Sequence, residues 1–181
     1  MTAQDGDCLY SCINLATGIA GDDAKRIRYF LFDYLQRERG WLDFHTGTST
    51  DQDIREVQMW VYLYRLLDDE FGDNIEIQSL ATMLNTTIEL YDNHNRGEEV
   101  VISRHTPGDK PRNLERFSPI VASIIHEHSL RKHNKPIRIM RVTLQNKPNE
   151  GQPHFNLLIR KDLEDRRDKY RYEDSENSED F

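Results

Sequence analysis

DGDCLYSCI, residues 5–13, is the stretch from which the fold of this chain can be worked out. Asp5 and Gly6 form a pair typical of turns, and an apolar helical spacing follows from Leu9 to Ile13. The pattern therefore places Cys8 near a helix N-terminus. Exposed N–H groups and the helix dipole favour a thiolate there, and they can lower a thiol pKa from roughly 8.5 to about 3.5–7.5 when a histidine is also near.

Helical spacing continues through the first half of the chain. Gly18 and Gly21 interrupt the first helix, and acidic residues at 22–23 then begin a second helix that Gly40 ends. A loop at 45–50 precedes a long helix capped by Asp51, and a short helix covers residues 76–84, with Asn85 as its stop. The long helix carries one apolar stripe, which consists of Ile54, Val57, Val61, Tyr64 and Leu67 and is broadened by Trp60 and Leu63.

The second half of the chain has the composition of β-strands. Alternating, β-branched segments predict strands at 86–92, 100–103, 137–144 and 155–159. Asn95-Arg96-Gly97 is a hairpin connection between the first two strands, whereas residues 119–130 suit a strand or a helix. Because helices come first and strands later, the sequence predicts α+β packing rather than an alternating βαβ array.

Composition limits the possible classes of protein. The 181 residues include 24 basic and 32 acidic ones, for a formal charge of −8, which argues against a partner such as nucleic acid. The sequence shows neither a membrane-spanning run nor a secretion signal, and we expect a soluble, cytoplasmic protein. Residues 1–161 are expected to form one domain. Residues 162–181 are a charged tail, nearly devoid of aliphatic residues and expected to be partly disordered.

A catalytic interpretation of Cys8 needs a cationic partner, because Asp5 and Asp7 beside it disfavour the thiolate. Of the seven histidines, His154 is the one that opens a strongly apolar run, PHFNLLI. In a strand, His154 and Asn156 project to the same face, so the amide could fix the imidazole tautomer and orient the ring toward a sulfur. This is the arrangement of a nucleophile, a base and an orienting residue in a cysteine triad.

Less specific interpretations account for the same residues. A cysteine on a helix is commonly a small buried hydrophobe, and we assign Cys12 to that class. His154 and Asn156 could be solvated residues at a strand edge. A metal-binding module is a further alternative, and its ligands would be His126, Glu127, His128 and His133. Against it, the sequence has neither a matched cysteine pair nor an HExxH helix.

Three motifs, in the right order, resemble those of the ovarian-tumour (OTU) domain cysteine proteases. DGDCLY at 5–10 is similar to the family's nucleophile motif, commonly Asp-Gly-Asn-Cys-Leu-Phe. PHFN at 153–156 is similar to its histidine motif, in which an aromatic residue and then Asp or Asn follow the histidine. IEIQSLA at 75–81 and TIELY at 87–91 are similar to the middle segment, a helix that leads into a central strand.

The resemblance implies a papain-like OTU fold, with a small mixed or antiparallel β-sheet packed between helices, and a thiol-dependent deubiquitinase that needs no metal or cofactor. Cys8 would be the nucleophile, His154 the base and then acid, and Asn156 the orienting residue. Asp5 would stabilise the loop or help to orient the histidine, and the backbone of Gly6 and Asp7 would contribute to the oxyanion hole. Ubiquitin or polyubiquitin would be the partner.

One departure from the family pattern concerns charge, because Asp7 stands where Asn is common and adds a negative charge close to the sulfur. Two alternative functions stay open. One is a non-catalytic ubiquitin-binding module with the OTU fold. The other is a papain-like peptidase or transglutaminase acting on another carbonyl, with Gln4 as an oxyanion donor.

Overall fold

The computed structural model describes residues 6–38, 42, 49–68, 72–92, 100–109, 111, 113–130, 135–143 and 153–158. This part of the chain contains five α-helices, one short 3₁₀ helix and four strands. The helices are α1 (Cys8–Thr17), α2 (Arg26–Arg37), α3 (Gln52–Leu67), α4 (Asn74–Met83) and α5 (Pro119–Leu130), with the 3₁₀ helix at Leu114–Arg116. The strands are β1 (Ile88–Asp92), β2 (Val100–His105), β3 (Ile137–Thr143) and β4 (Pro153–Leu157).

Local residue chemistry explains one end of each of three helices. Gly18 ends α1 in the left-handed conformation, with φ 70°, a backbone geometry that costs glycine little. Asp51 caps α3 by accepting hydrogen bonds from the N–H groups of Asp53 and Ile54, as predicted. Asp73 and Glu76 form a reciprocal capping box at the start of α4. These residues fix the end of α1 and the starts of α3 and α4 before any tertiary packing is considered.

The four strands form one mixed sheet in the order β2-β1-β3-β4. β1 pairs antiparallel with β2 and parallel with β3, and β3 pairs antiparallel with β4. The predicted α+β class and mixed sheet are confirmed, and so is the pairing of the first two strands. The proposed turn at 95–97 and the tail at 162–181 lie outside the described residues.

The buried core lies where the helices meet the sheet. α1 packs against β4 and β3 at one edge, and α4 packs against β1 and β2 at the other. Alternate residues of the strands enter this core, among them Ile88, Leu90, Ile139 and Phe155, each at most 2% exposed. Residues 119–130, for which the sequence allowed two structures, form the helix α5.

Most of the apolar stripe predicted for α3 faces outward, although Leu63, which was predicted to broaden it, is buried. Ile54, Val57, Val61 and Tyr64 are at least half exposed, whereas Met59, Leu63 and Leu66 are buried. α3 packs against α2, and the buried residues, four and three positions apart, make a second apolar face that the periodicity alone did not distinguish from the first. Among the described residues, no helix is both long and apolar enough to cross a membrane.

Candidate active site

The turn before α1 places Cys8 at the first position of the helix. Asp7 is the N-cap residue, with φ −88° and ψ 0°, and its carbonyl accepts a hydrogen bond from the N–H of Ser11 at 2.8 Å. Cys8 therefore lies at the positive end of the helix dipole, as the sequence predicted. Cys12 lies one turn further on, where the N–H groups of the helix are already engaged in its own hydrogen bonds.

Both cysteines are fully buried thiols. This agrees with the assignment of Cys12 to the core, but it also means that burial does not distinguish Cys12 from Cys8. What distinguishes them is position, because only Cys8 begins the helix. Reaction at Cys8 requires that the layer covering it open to admit a carbonyl substrate.

The strand that carries the predicted histidine packs directly on α1. In β4, His154 pairs with Val142, Phe155 with Arg141 and Asn156 with Met140. Phe155 is 2% exposed and points into the core, and Asn156 is half-buried. Because α1 packs against β4, the fold brings the helix that begins with Cys8 to the strand that contains His154 and Asn156.

The negative charge of Asp7, which the sequence placed unfavourably beside the sulfur, has two cationic neighbours. Arg28 Nε donates to Asp7 Oδ1 at 2.6 Å, and Lys25 Nζ lies 3.3 Å from Oδ2. The side chains of Asp7 and Arg28 are 6% and 2% exposed, so this ion pair is screened little by solvent. The negative charge that Asp7 carries, where Asn is common in the resembling motif, is thus balanced locally.

Arg28 was not identified from the sequence, although a signal was present. It lies three residues before Leu31 and seven before Leu35, on the face of α2 that enters the core, so a charge there requires a buried partner. Its Nη1 also donates to the carbonyl of Leu66 at 2.9 Å, and its guanidinium lies 4.3 Å from the centroid of the Tyr10 ring. These contacts fix the guanidinium behind the start of α1.

A second polar cluster lies beyond Tyr10. Glu76, 5% exposed, accepts hydrogen bonds from the hydroxyl of Tyr62 and from the N–H of Asp73. Burial raises the pKa of Glu76 despite these hydrogen bonds. Burial, and next the Glu76 carboxylate, raise the pKa of Tyr10, so its phenol stays protonated at neutral pH. The cluster therefore supports the packing behind α1 without placing an ionised phenol there.

Several candidate residues can be placed less fully. Gly6 and Asp7 form the turn before α1, whereas Gln4 and Asp5 lie outside the described residues. His126 and His128 belong to the helix α5, where residues two apart do not share a face; in a strand they would, and could then chelate one ion together. Within the described parts of the chain, no three His, Cys, Asp or Glu residues are grouped to hold a metal ion.

An α+β fold with a cysteine at a helix N-terminus, packed on a strand that carries histidine and asparagine, has the architecture of a papain-like cysteine protease. The family model described as OTU-like cysteine protease matches residues 3–133, well over half of the chain. The chain belongs to this family. The matched range includes Cys8 and ends before His154. No curated protein matches the sequence.

Proposed function

We propose that this protein is a deubiquitinase that hydrolyses ubiquitin isopeptide bonds through a thioester on Cys8. The observation that carries the proposal is the packing of α1, which begins with Cys8, on β4, which contains His154 and Asn156. Membership of the OTU-like cysteine protease family supports the thiol chemistry. The choice of ubiquitin as the substrate goes beyond this thiol chemistry. It rests on the likeness of the motifs to those of the OTU proteases.

The proposed reaction has two halves. The Cys8 thiolate attacks the carbonyl of the ubiquitin C-terminal glycine, and the imidazolium of His154 protonates the lysine amine as the C–N bond breaks. His154 then removes a proton from water, which attacks the thioester and releases the ubiquitin carboxylate and the thiol. Asn156 orients the imidazole, a role that affects the rate of bond breaking more than the binding of substrate.

Backbone N–H groups at the start of α1 would stabilise the tetrahedral intermediate. The turn of Gly6 and Asp7 leads into the helix at Cys8, so N–H groups here lie at the positive end of the helix dipole. A developing oxyanion near Cys8 would bind there to backbone groups that the helix already holds in place. Asp5, which immediately precedes this turn, is proposed to stabilise the loop or help to orient His154.

Charge supports ubiquitin as a partner. The recognition face of ubiquitin is apolar and partly basic, and the chain carries a formal charge of −8. We further propose that the protein acts in the cytoplasm, that residues 1–161 are the catalytic domain, and that residues 162–181 are dispensable for hydrolysis.

A specific observation favours a second candidate, a ubiquitin-binding module without activity. Cys8 is fully buried, whereas reactive cysteines are commonly accessible in part. The two candidates predict the same binding of ubiquitin but opposite results for turnover, so an assay must measure both.

The test uses ubiquitin with a fluorogenic amide at its C-terminus and a panel of linkage-defined diubiquitins. We expect turnover by the wild-type chain and loss of turnover in Cys8→Ala and His154→Ala, with ubiquitin binding retained in both variants. Binding of ubiquitin by the wild-type chain with no cleavage of any substrate would establish the non-catalytic module instead. Cleavage of one linkage before the others would name the preferred chain type.

A further inference from the structure

The outer face of α3 carries four exposed apolar residues at a regular spacing. Ile54, Val57, Val61 and Tyr64 follow one another at intervals of three, four and three residues, and each is 50–62% exposed. These four residues form the α3 seam. Intervals that alternate between three and four are those of the a and d positions of a heptad, which pack against a second helix. The spacing therefore indicates a helical partner for α3.

The opposite face of the same helix already packs inside the molecule. Met59, Leu63 and Leu66 are buried, and α3 packs against α2. This inward face accounts for the place of α3 in the fold, so the α3 seam is not needed to hold the helix there. Single exposed apolar residues are common, but four in heptad spacing form one continuous patch, and such patches mark interaction sites.

One side of the α3 seam is aromatic. Trp60 is half-buried there, and the centroid of its ring lies 6.1 Å from that of the Tyr64 ring. Trp and Tyr are the residue types that contribute most to many interfaces. A groove of about 530 Å³ runs along this side and has room for side chains of a second helix; it is lined by Asp53, Glu56, Val57, Trp60, Val61 and Tyr64.

The charges around the α3 seam favour a second helix that runs antiparallel. Asp51, Asp53 and Glu56 are exposed and lie at the N-terminal end of α3. A second copy packed in parallel would bring these carboxylates beside their equivalents, where like charges repel. A second copy packed antiparallel moves them to opposite ends of the interface, and it brings Arg65, also exposed, opposite Asp51. The surface is thus complementary to itself about a two-fold axis.

We propose that α3 is a dimer interface, at which the α3 seams of two copies of this chain pack antiparallel. The two-fold axis passes between Val57 and Val61, so Val57 faces Val61 of the partner subunit, and Ile54 faces Tyr64 of the partner subunit. Because α3 is already folded in each copy, pairing carries no cost of helix nucleation. The α3 seam spans only about 15 Å of helix, so the dimer exchanges with monomer.

The first test is the oligomeric state of the full chain. Sedimentation velocity is measured from about 1 to 300 µM, a range that covers weak association. We expect the average mass to rise with concentration from 21.4 kDa toward twice that value. Val61→Glu places a carboxylate in the centre of the α3 seam and should weaken association at least about tenfold.

A matched control separates the α3 seam from apolar surface in general. Ile120 on α5 is 51% exposed, against 50% for Val61, so Ile120→Glu removes a similar exposed side chain elsewhere. It should dimerise like the wild type. A wild-type mass that stays at 21.4 kDa at every concentration would overturn the proposal, and so would an equal effect of the two glutamate variants.

Mixing two variants tests the antiparallel register. Val57→Lys and Val61→Glu each place one sign of charge in the α3 seam, and each should be monomeric alone. In an antiparallel pair the introduced lysine faces the introduced glutamate, so the equimolar mixture should associate at least about tenfold more tightly than either variant alone. In a parallel pair each charge would face a valine. A mixture that associates no better than the separate variants therefore contradicts the proposal.

The proposal stays testable if a charged variant does not fold, because the concentration series of the wild type needs no substitution. Val61→Thr then takes the place of Val61→Glu, since threonine has nearly the shape of valine. Its hydroxyl would enter an apolar interface, and it should weaken association about threefold or more. Circular dichroism of each variant at low concentration measures whether it is folded. Association of Val61→Thr equal to that of the wild type would contradict the proposal.

A different occupant of the α3 seam would give a different result. If the wild type stays monomeric and Val61→Glu raises KM for ubiquitin substrates, the α3 seam binds ubiquitin and the dimer is wrong. Association requires no turnover, so this inference and the proposed function can fail separately. A dimer that cleaves no ubiquitin substrate leaves the interface standing, and an active chain that is always monomeric leaves the function standing.

Discussion

Asp7 and Glu89 are both buried carboxylates that hydrogen-bond to arginine, and they lie in two different regions of the fold. Asp7 precedes the helix that packs on β4, whereas Glu89 lies in β1 and accepts from Arg104 of β2 at 2.8 Å and Arg138 of β3 at 3.0 Å. The partner of Asp7 is itself buried, at 2% exposure. The arginines of Glu89 are 62% and 48% exposed, at the surface of the sheet.

The difference shows how similar ion pairs can serve different purposes. At Glu89 the pairs join three neighbouring strands, and nothing in the proposed reaction lies within that group. At Asp7 the pair is next to the proposed nucleophile and sets the charge at the start of α1. Changes in the Asp7 region should therefore alter reactivity, and changes in the Glu89 region should alter stability alone.

Replacing the two cysteines of α1 one at a time should give the largest difference in turnover between two variants. Cys8→Ala should lower the hydrolysis of ubiquitin substrates by at least about 10⁴-fold, because it removes the nucleophile. Cys12→Ala, a matched control one turn away, should retain turnover and lose about 1–2 kcal/mol of unfolding free energy through a small cavity. Steady-state kinetics and chemical denaturation measure the two effects. Equal loss of turnover in both variants would show that α1 is only a structural element.

Replacing Asn156 tests whether β4 contributes to chemistry or only to packing. Asn156→Ala should lower kcat by roughly 10- to 100-fold and leave KM nearly unchanged, since its proposed role is to orient His154. Asn113→Ala, which removes a cap of the 3₁₀ helix, is the control and should leave kcat unchanged. A rise in KM with unchanged kcat would instead assign Asn156 to the binding of substrate.

Glu89→Gln tests the other side of the comparison. Burial opposes ionisation of Glu89, but hydrogen bonds from Arg138, Tyr91 and Arg104 outweigh it and hold the pKa of Glu89 below its usual value. A carboxyl with a lowered pKa in the folded state stabilises the fold above its unfolded-state pKa, and this contribution is lost as pH falls through the folded-state pKa.

The variant should thus unfold at a temperature a few degrees lower than the wild type at pH 7, and this gap should close as the pH is lowered below about 4. Its kcat at neutral pH should match that of the wild type. Thermal unfolding followed by circular dichroism across the acid range measures the gap. A gap that persists unchanged at acidic pH would mean that packing, and not charge, explains the loss.

Removing residues 165–181 should have the smallest effect. The segment contains no aliphatic residue, so we expect neither of the two regions to depend on it. The shortened chain should hydrolyse ubiquitin substrates at the rate of the full chain. A large loss of turnover would show that the tail takes part in catalysis or in the binding of substrate.

The features that the sequence predicted well are those with local causes. Asp51 caps α3, Gly18 ends α1, and the alternation in 86–92 predicts β1, because each depends on a few adjacent residues. The charges around Cys8, in contrast, depend on residues that are far apart in the sequence. The cation that balances Asp7 comes from Arg28, 21 residues later, and only tertiary packing brings the two together.

The errors and ambiguities have physical causes as well. Periodicity does not say which apolar face of α3 packs on α2, and most of the predicted stripe proved to face outward, with Leu63 on the buried face. The segment 119–130 has β-branched residues at a length that suits a helix, and its packing as α5 overrides that local preference. The sequence also could not show that Cys8 would be buried.

The most direct test of the central claim is covalent capture with ubiquitin that carries an electrophile at its C-terminus. We expect one ubiquitin attached per chain, with the modified peptide containing Cys8 and not Cys12, and no capture by Cys8→Ala. Capture that persists in Cys8→Ala, attachment at Cys12, or a folded wild-type chain that is never captured would contradict it.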